Sequence, residues 1–258
     1  MTALGEVSEP GAGARRGPGG AYRRCVRITG APGRQQAEME DDFHHFVTAV
    51  RHDGGVIQAV EIESVRTPWA TCFMAARALE TLAGQPLEAG ARLAAAVRNA
   101  GCTHMLDQVA LAIAHAARAT PRLDYRMEVE AGPDGAIRAQ LFRDGAPLLD
   151  WRVEQGAIVG GVLDGVSVTA LPRQAADRLA PDLLEAAMVL RRAVRISGAR
   201  SLDLDDFPTA GAIAKAQPAT CYSLLPEIRD RAHRNKGTMK NFSAEGRWPL
   251  AEARGTPS

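Results

Sequence analysis

The sequence predicts an α+β fold, an antiparallel β-hairpin and meander sheet packed against several helices. Strand-type alternation in "AYRRCVRITG" and "DFHHFVTAVRHDGGVIQAVEIESV" comes before a long region of helical periodicity. A second alternating block, "YRMEVEAGPDGAIRAQLFRDGAPLLDWRVEQGAIVGGVL", again precedes a helix. Strands and helices are therefore segregated, which argues against an alternating parallel sheet. The echo between the hairpin and helix at 41–83 and the meander and helix at 124–196 is too weak to define a repeat.

Taken in order, residues 1–20 are rich in Gly, Pro and Arg and read as a disordered tail. Residues 21–240 read as a single α+β domain, and 241–258 as a flexible C-terminal tail. The dipeptide after "HD" in "HDGG" is a strong hairpin signal between two strands. In "RTPWATCFMAARALETLAG" Thr67 is placed to cap a helix, Pro68 to sit in its first turn and Gly84 to end it. Cys72, Ala75, Ala76, Leu79 and Leu82 share its buried face. A second helical run spans 87–98. A third runs from Thr103, its expected N-cap, to Ala119. The meander turns at "GPDG", "RDG" and "EQG". Over 175–196 Leu179, Leu183, Leu184, Ala187 and Leu190 line one helical face. The remainder is irregular, with short helical pieces near 209–216 and 223–234.

The 258-residue chain is 46% apolar and 24% charged with net charge +1, so nothing points to nucleic acid or to an acidic membrane surface. No apolar run is long enough to span a bilayer, and the N-terminus lacks a secretory apolar core, so a cytoplasmic location is expected. Cys25, Cys72, Cys102 and Cys221 form no CxxC pair and read as free thiols. Phosphate loops, dinucleotide fingerprints, GxSxG and HExxH are missing, and no cofactor is expected.

Chemistry-bearing residues gather in "EDDFHHF" and "GCTHMLD". Strand alternation sends His44 and His45 to opposite faces; Asp42 shares the face of His44 and is placed to fix its tautomer. His45 falls with Phe43, Val47 and Ala49 on the expected core face. His104 and Asp107 lie one turn apart at the start of the third helix, where a carboxylate can orient an imidazole. Cys102 precedes that helix N-terminus, an electrostatically favourable place for a thiolate. Arg66, beside another expected helix start, is a candidate anion holder, with a local ion pair to an acid such as Glu63 as the alternative. Trp69, Trp151, Phe142 and Tyr125 are candidates to line an aromatic pocket. Cys102, His104 and Asp107 do not have a standard zinc spacing, although a set completed by His44 or His45 can be built.

The segments "EDDFHHF", "HDGGVIQAVEIESVRTPWATC", "LAGQPL" and "GCTHMLD" resemble, in this order, the bacterial family of unknown function DUF2889, over roughly residues 22–120. The family name supplies no reaction. The resemblance does carry an association with bacteria that degrade aromatic compounds, including lignin-derived ones. From that association the expected function is a cofactor-independent acid–base enzyme, a carbon–carbon lyase releasing a small aldehyde by retro-aldol cleavage. His104 or His44 would be its base, Asp107 would orient that base, and no metal would take part. Arg66, His45, Cys102, Trp69 and Asp42 would bind the substrate. The expected partner is a small molecule, with no nucleic acid and no membrane, and a homodimer is allowed. Alternatives are a metal-dependent hydrolase and a non-catalytic ligand-binding or assembly protein.

Overall fold

The computed structural model describes residues 17, 19–89, 101–214 and 221–251. Most of the expected 87–98 helix and of the 1–20 tail therefore lies outside the described residues. The fold is α+β, with antiparallel sheet packed against helices. Contacts group the chain into two compact units. One comprises Val26–Asp124 and Leu204–Lys240; the other comprises Tyr125–Asp203 with the chain before Val26 and after Lys240.

In the first of these units the strand order is β4-β3-β2-β1, with β1 at Tyr22–Ala31 (its part from Val26 in this unit), β2 at Arg34–Asp41, β3 at His45–Asp53 and β4 at Val56–Arg66. Strand β2 is absent from the sequence reading because "RQQAEMED" shows little apolar alternation. Its buried positions Gln35, Ala37 and Met39 nevertheless pair with Val50, Thr48 and Phe46 of β3. Helix α1, Thr103–Ala117, packs on β2 and β3. The ring of Phe46 lies 6.3 Å from that of His104, so the Phe46 face is the one α1 covers. Polar Gln35 is accommodated because its amide donates to the Thr120 carbonyl at 3.0 Å, just beyond the helix end.

The expected helix from Thr67 starts later. Residues 67–71 form turns and bridges, followed by a 3-10 turn at Cys72–Ala76 and an α-turn at Arg77–Glu80. Pairing with a distant segment overrides the local cap signal: Ala70 N–H donates to His233 O, and Asn235 N–H to Pro68 O. Thr67 Oγ1 donates to Trp69 O rather than capping a helix. The predicted buried face is nonetheless present in Cys72, Ala75, Leu79 and Leu82. Trp69 and Cys72 form a core cluster with Ala210, Ile228 and Ala232.

The other unit carries the meander β5 (Arg122–Ala131), β6 (Ile137–Arg143), β7 (Ala146–Glu154) and β8 (Ala157–Val159), with antiparallel neighbours in sequence order. Helix α2, Pro181–Ser197, packs on β6. Its buried side chains are Ala186, Ala187, Val189, Leu190, Arg191, Ala193 and Val194, so the apolar face is displaced from the leucines at 179, 183 and 184, which are only half-buried. Phe242, within the expected C-terminal tail, is fully buried, and its carbonyl accepts from Arg23. Among the described residues no helix is long and apolar enough to cross a membrane.

The β3–β4 hairpin closes through Gly54 and Gly55, with φ of +53° and +85°, the paired left-handed conformations a two-residue hairpin requires. A side chain at Gly55 would meet nothing within 4 Å, so its cost is conformational. Gly55→Val should lower stability by about 1–2 kcal/mol in a denaturant titration. An unchanged midpoint would show that the turn relaxes without penalty.

Candidate metal centre

The centre is built on the tight connection between β2 and β3. Asp41 N–H donates to His44 O at 2.9 Å. The Asp41 carboxylate folds back onto its own turn, where Oδ1 accepts from Phe43 N–H at 2.8 Å and His44 N–H at 2.6 Å. A short acidic side chain that satisfies the backbone two and three residues on is what stabilises such a turn. The same oxygen lies 3.1 Å from His44 Nδ1. Asp41 is fully buried.

Strand β4 fixes this turn from the side. His45 pairs with Arg66 while Phe46 pairs with Ser64, so Val65 is an extra residue that bulges out. The bulge shifts Arg66 out of the alternation it would share with Ser64. Its guanidinium then donates to Asp41 O at 2.5 Å, Asp42 O at 3.1 Å, His44 O at 3.2 Å and Thr238 O at 2.9 Å. It also pairs with Glu40 at 3.3 Å. Lys240 N–H donates to Asp42 O at 2.7 Å from the other side. The partner acid of Arg66 is thus Glu40, not Glu63.

The third component comes from α1. His104, in its first turn and buried, places its ring centroid 4.1 Å from that of His44. Its Nδ1 lies 3.8 Å from Cys102 Sγ. One ligand atom from each of Asp41, His44 and His104 falls within 4.8 Å of the other two. A carboxylate oxygen and two imidazole nitrogens at this separation form a donor set for a divalent transition metal ion; the imidazoles disfavour calcium and magnesium, which prefer oxygen.

This arrangement overturns the expectation of metal-free acid–base chemistry. A general base presents a lone pair to substrate, whereas both imidazoles here converge with a buried carboxylate on one point. The cofactor-independent carbon–carbon lyase, its acid–base assignment and the expectation of no metal are corrected accordingly. The aromatic pocket is corrected too. Trp69 belongs to a core cluster, Phe142 packs edge-on to Trp248, and Tyr125 donates to Glu185 at 3.0 Å. Trp151 borders an open cavity of about 520 Å³ whose other lining residues are not aromatic.

The remaining site residues of the sequence reading are distributed as follows. His45 turns to the opposite face from His44, with Nε2 2.8 Å from Glu38 Oε1 and Nδ1 3.7 Å from Glu40 Oε1. Asp42 is fully buried, and its carbonyl serves Arg66 and Lys240. Asp107 is half-buried one turn after His104. Sequence reasoning missed Asp41, because it began strand alternation at Asp42; the readable signal was the Asp-x-x-His spacing of a turn closed by its own carboxylate.

None of the four cysteines is in a disulfide. Burial pushes the Cys72 thiol up to about 12, Cys102 nearby adds in the same direction, and the Ser223 hydroxyl opposes it. A thiol held protonated in the fold stabilises it below the ordinary thiol pKa, and that contribution is lost as pH climbs from there through about 12. Iodoacetamide at neutral pH should therefore leave native Cys72 unlabelled and alkylate it once the chain is unfolded, as read by mass spectrometry. Labelling of the native protein at Cys72 would contradict this burial. Arg66→Leu should destabilise the fold by about 3–5 kcal/mol in equilibrium unfolding, the range for removing one member of a buried charged network. A loss under about 1 kcal/mol, the scale of an exposed pair, would show that the turn holds without the guanidinium.

No curated protein matches the chain. Residues 28–118 match the family DUF2889, described as a protein of unknown function. Over that segment, which contains Asp41, His44, Arg66, Cys102 and His104, the chain resembles DUF2889.

Proposed function

We propose that the protein is a metal-dependent hydrolase of a small-molecule substrate, with a divalent transition metal ion, zinc foremost, held by Asp41, His44 and His104. The observation that carries this reading is that donors of Asp41 and His104, both buried, and of the partly buried His44 lie within 4.8 Å of one another. Two imidazoles with one carboxylate are a catalytic zinc ligand set that leaves a coordination position for water. When bound, such an ion lowers the pKa of its water to about 7 and polarises a carbonyl or phosphoryl oxygen. The chain's own residues supply position. The Asp41 turn holds one oxygen and the His44 ring together, helix α1 presents His104, and Arg66 anchors the turn carbonyls so that the ligands are set before any ion arrives.

Chelator-treated protein should bind about one equivalent of Zn²⁺ in calorimetry. Asp41→Ala, His44→Ala and His104→Ala should each weaken binding by more than about 100-fold, since even outer-shell partners are worth about 10–100-fold. Hydrolysis across a panel of ester, amide and phosphoester substrates should be lost with chelator and return with metal. Folded protein that binds no metal would overturn the metal reading. Stoichiometric binding with no hydrolysis across the panel would overturn the hydrolase assignment and leave a non-catalytic metal site.

A further inference from the structure

Gln108 lies one turn beyond His104 on α1 and is 1% exposed. Both polar atoms of its carboxamide, Nε2 and Oε1, are buried with no hydrogen-bond partner among the described residues. Beneath the helix, the fully buried Thr48 of β3 has its hydroxyl in the same condition. A buried amide or hydroxyl left dry and unpaired is costly, so such groups mark a place for water or for a bound polar group.

The two residues stand at one level of the helix–sheet interface. Helix α1 begins with His104 against Phe46 and is followed by Thr120, whose carbonyl meets Gln35, the register partner of Val50. It therefore runs along β3 in the same direction. Thr48 sits between Phe46 and Val50 on the covered face, and Gln108 one turn in from His104. Residues four apart on a helix have Cβ atoms about 5–6 Å apart, and their side chains lean back toward the N-terminus. The Gln108 amide is thus directed toward the His104 turn and the centre it carries. At the far end of the interface the polar groups are satisfied: His115 Nδ1 lies 2.9 Å from Thr120 Oγ1, and the Gln35 amide donates to Thr120 O. The unpaired atoms at Gln108 and Thr48 comprise an amide donor, an amide acceptor and a hydroxyl, a neutral set that suits water and offers nothing to offset a buried ion.

We infer that Gln108 is a catalytic residue of the centre, its carboxamide aiming the water that attacks the substrate; this rests on the hydrolase reading above. Oε1 accepts one O–H of the water at the open coordination position, a task that a glutamine performs in GTP-hydrolysing proteins. Thr48 is the second polar group of this layer. In the step itself the water oxygen bonds to the carbonyl carbon or phosphorus, and the bond to the leaving group breaks with its electron pair. One water proton stays with the new acid and the other passes to the leaving group. A carboxamide takes up no proton, so Gln108 orients the water without serving as its base. The three-residue ligand set and its open position are left intact.

The test sets Gln108→Met against Gln35→Met in zinc-loaded, full-length protein, on the panel substrate that wild type hydrolyses fastest. Methionine has a similar volume and removes both polar atoms. Gln108→Met should lower kcat by about 100-fold, the scale of a misplaced reacting group, with KM and zinc affinity within about threefold of wild type. Its melting midpoint should stay level or rise, because an unpaired buried amide gives way to an apolar group. Gln35→Met should do the reverse, lowering the midpoint as the Thr120 carbonyl loses its donor and leaving kcat unchanged. A crystal structure of the zinc-loaded wild type, which needs no variant to fold, should show a water on the ion within hydrogen-bond distance of Gln108 Oε1. A Gln108→Met kcat within about threefold of wild type, a midpoint well below wild type, or no such water would overturn the role of Gln108 and leave the hydrolase standing. Wild type that binds no zinc, or binds it and hydrolyses nothing on the panel, would bring down both readings together.

Discussion

The Arg66 guanidinium is the constraint on which the candidate centre depends. A three-residue connection between adjacent strands leaves several carbonyls without ladder partners, and these are buried beside a buried carboxylate. Each such group left unsatisfied costs about 1–3 kcal/mol. One planar cation with five N–H donors answers several at once, reaching the carbonyls of Asp41, Asp42 and His44 in the turn and that of Thr238 outside it. A lysine has neither the fork nor the number of donors to do this. The Val65 bulge is therefore a functional irregularity: it shifts the phase of β4 by one residue where the guanidinium must meet the turn.

How much of this was legible in the sequence varies with the range of the interaction concerned. The Gly54–Gly55 hairpin and the meander turns were readable because each is decided by local backbone chemistry; α1 starts where its periodicity starts, but its N-cap is Cys102 and not the expected Thr103. The separation of His44 from His45 was read from strand alternation, but it arises at the turn, because β3 begins only at His45; the helix covers the Phe46 face, not the His45 face taken as the core. Strand β2 was not readable, since its inner face includes Gln35 and Asp41, whose burial depends on partners distant in sequence or supplied by the turn itself. The helix expected from Thr67 failed for the related reason that residues 68–70 pair with 233–235, more than 160 positions away. At the centre itself, the sequence offered His44 and His104 but proposed Asp42 and Asp107 as the acids. The acid that meets the imidazoles is Asp41, and only the turn geometry distinguishes it from its neighbour.

The preorganisation of Asp41 bears on which chemistry the centre suits. Its Oδ1 takes two backbone N–H groups, so the carboxylate is oriented whether or not an ion is bound. The His44 and His104 rings, with centroids 4.1 Å apart, stand beside this oriented carboxylate. Outer-shell contacts that orient ligands are a recurrent part of metal sites, and here they come from backbone as much as from side chains.

His45 extends the same logic through the sheet. Facing away from His44, it sits between Glu38 and Glu40, and Glu40 in turn pairs with Arg66. A continuous chain of polar contacts therefore runs from Glu38 on one face, through His45, Glu40 and Arg66, to the Asp41 carbonyl at the turn. Its members are only slightly exposed, at 11–15% for Glu38, His45, Glu40 and Arg66, so the contacts are weakly screened and hold the guanidinium in one orientation. A half-connected network of this kind would be worse than an apolar one, because each buried member would lack a partner. The adjacent histidines thus divide the work of one turn: His44 offers its ring to the candidate metal centre, while His45 helps fix the arginine that keeps that turn in shape.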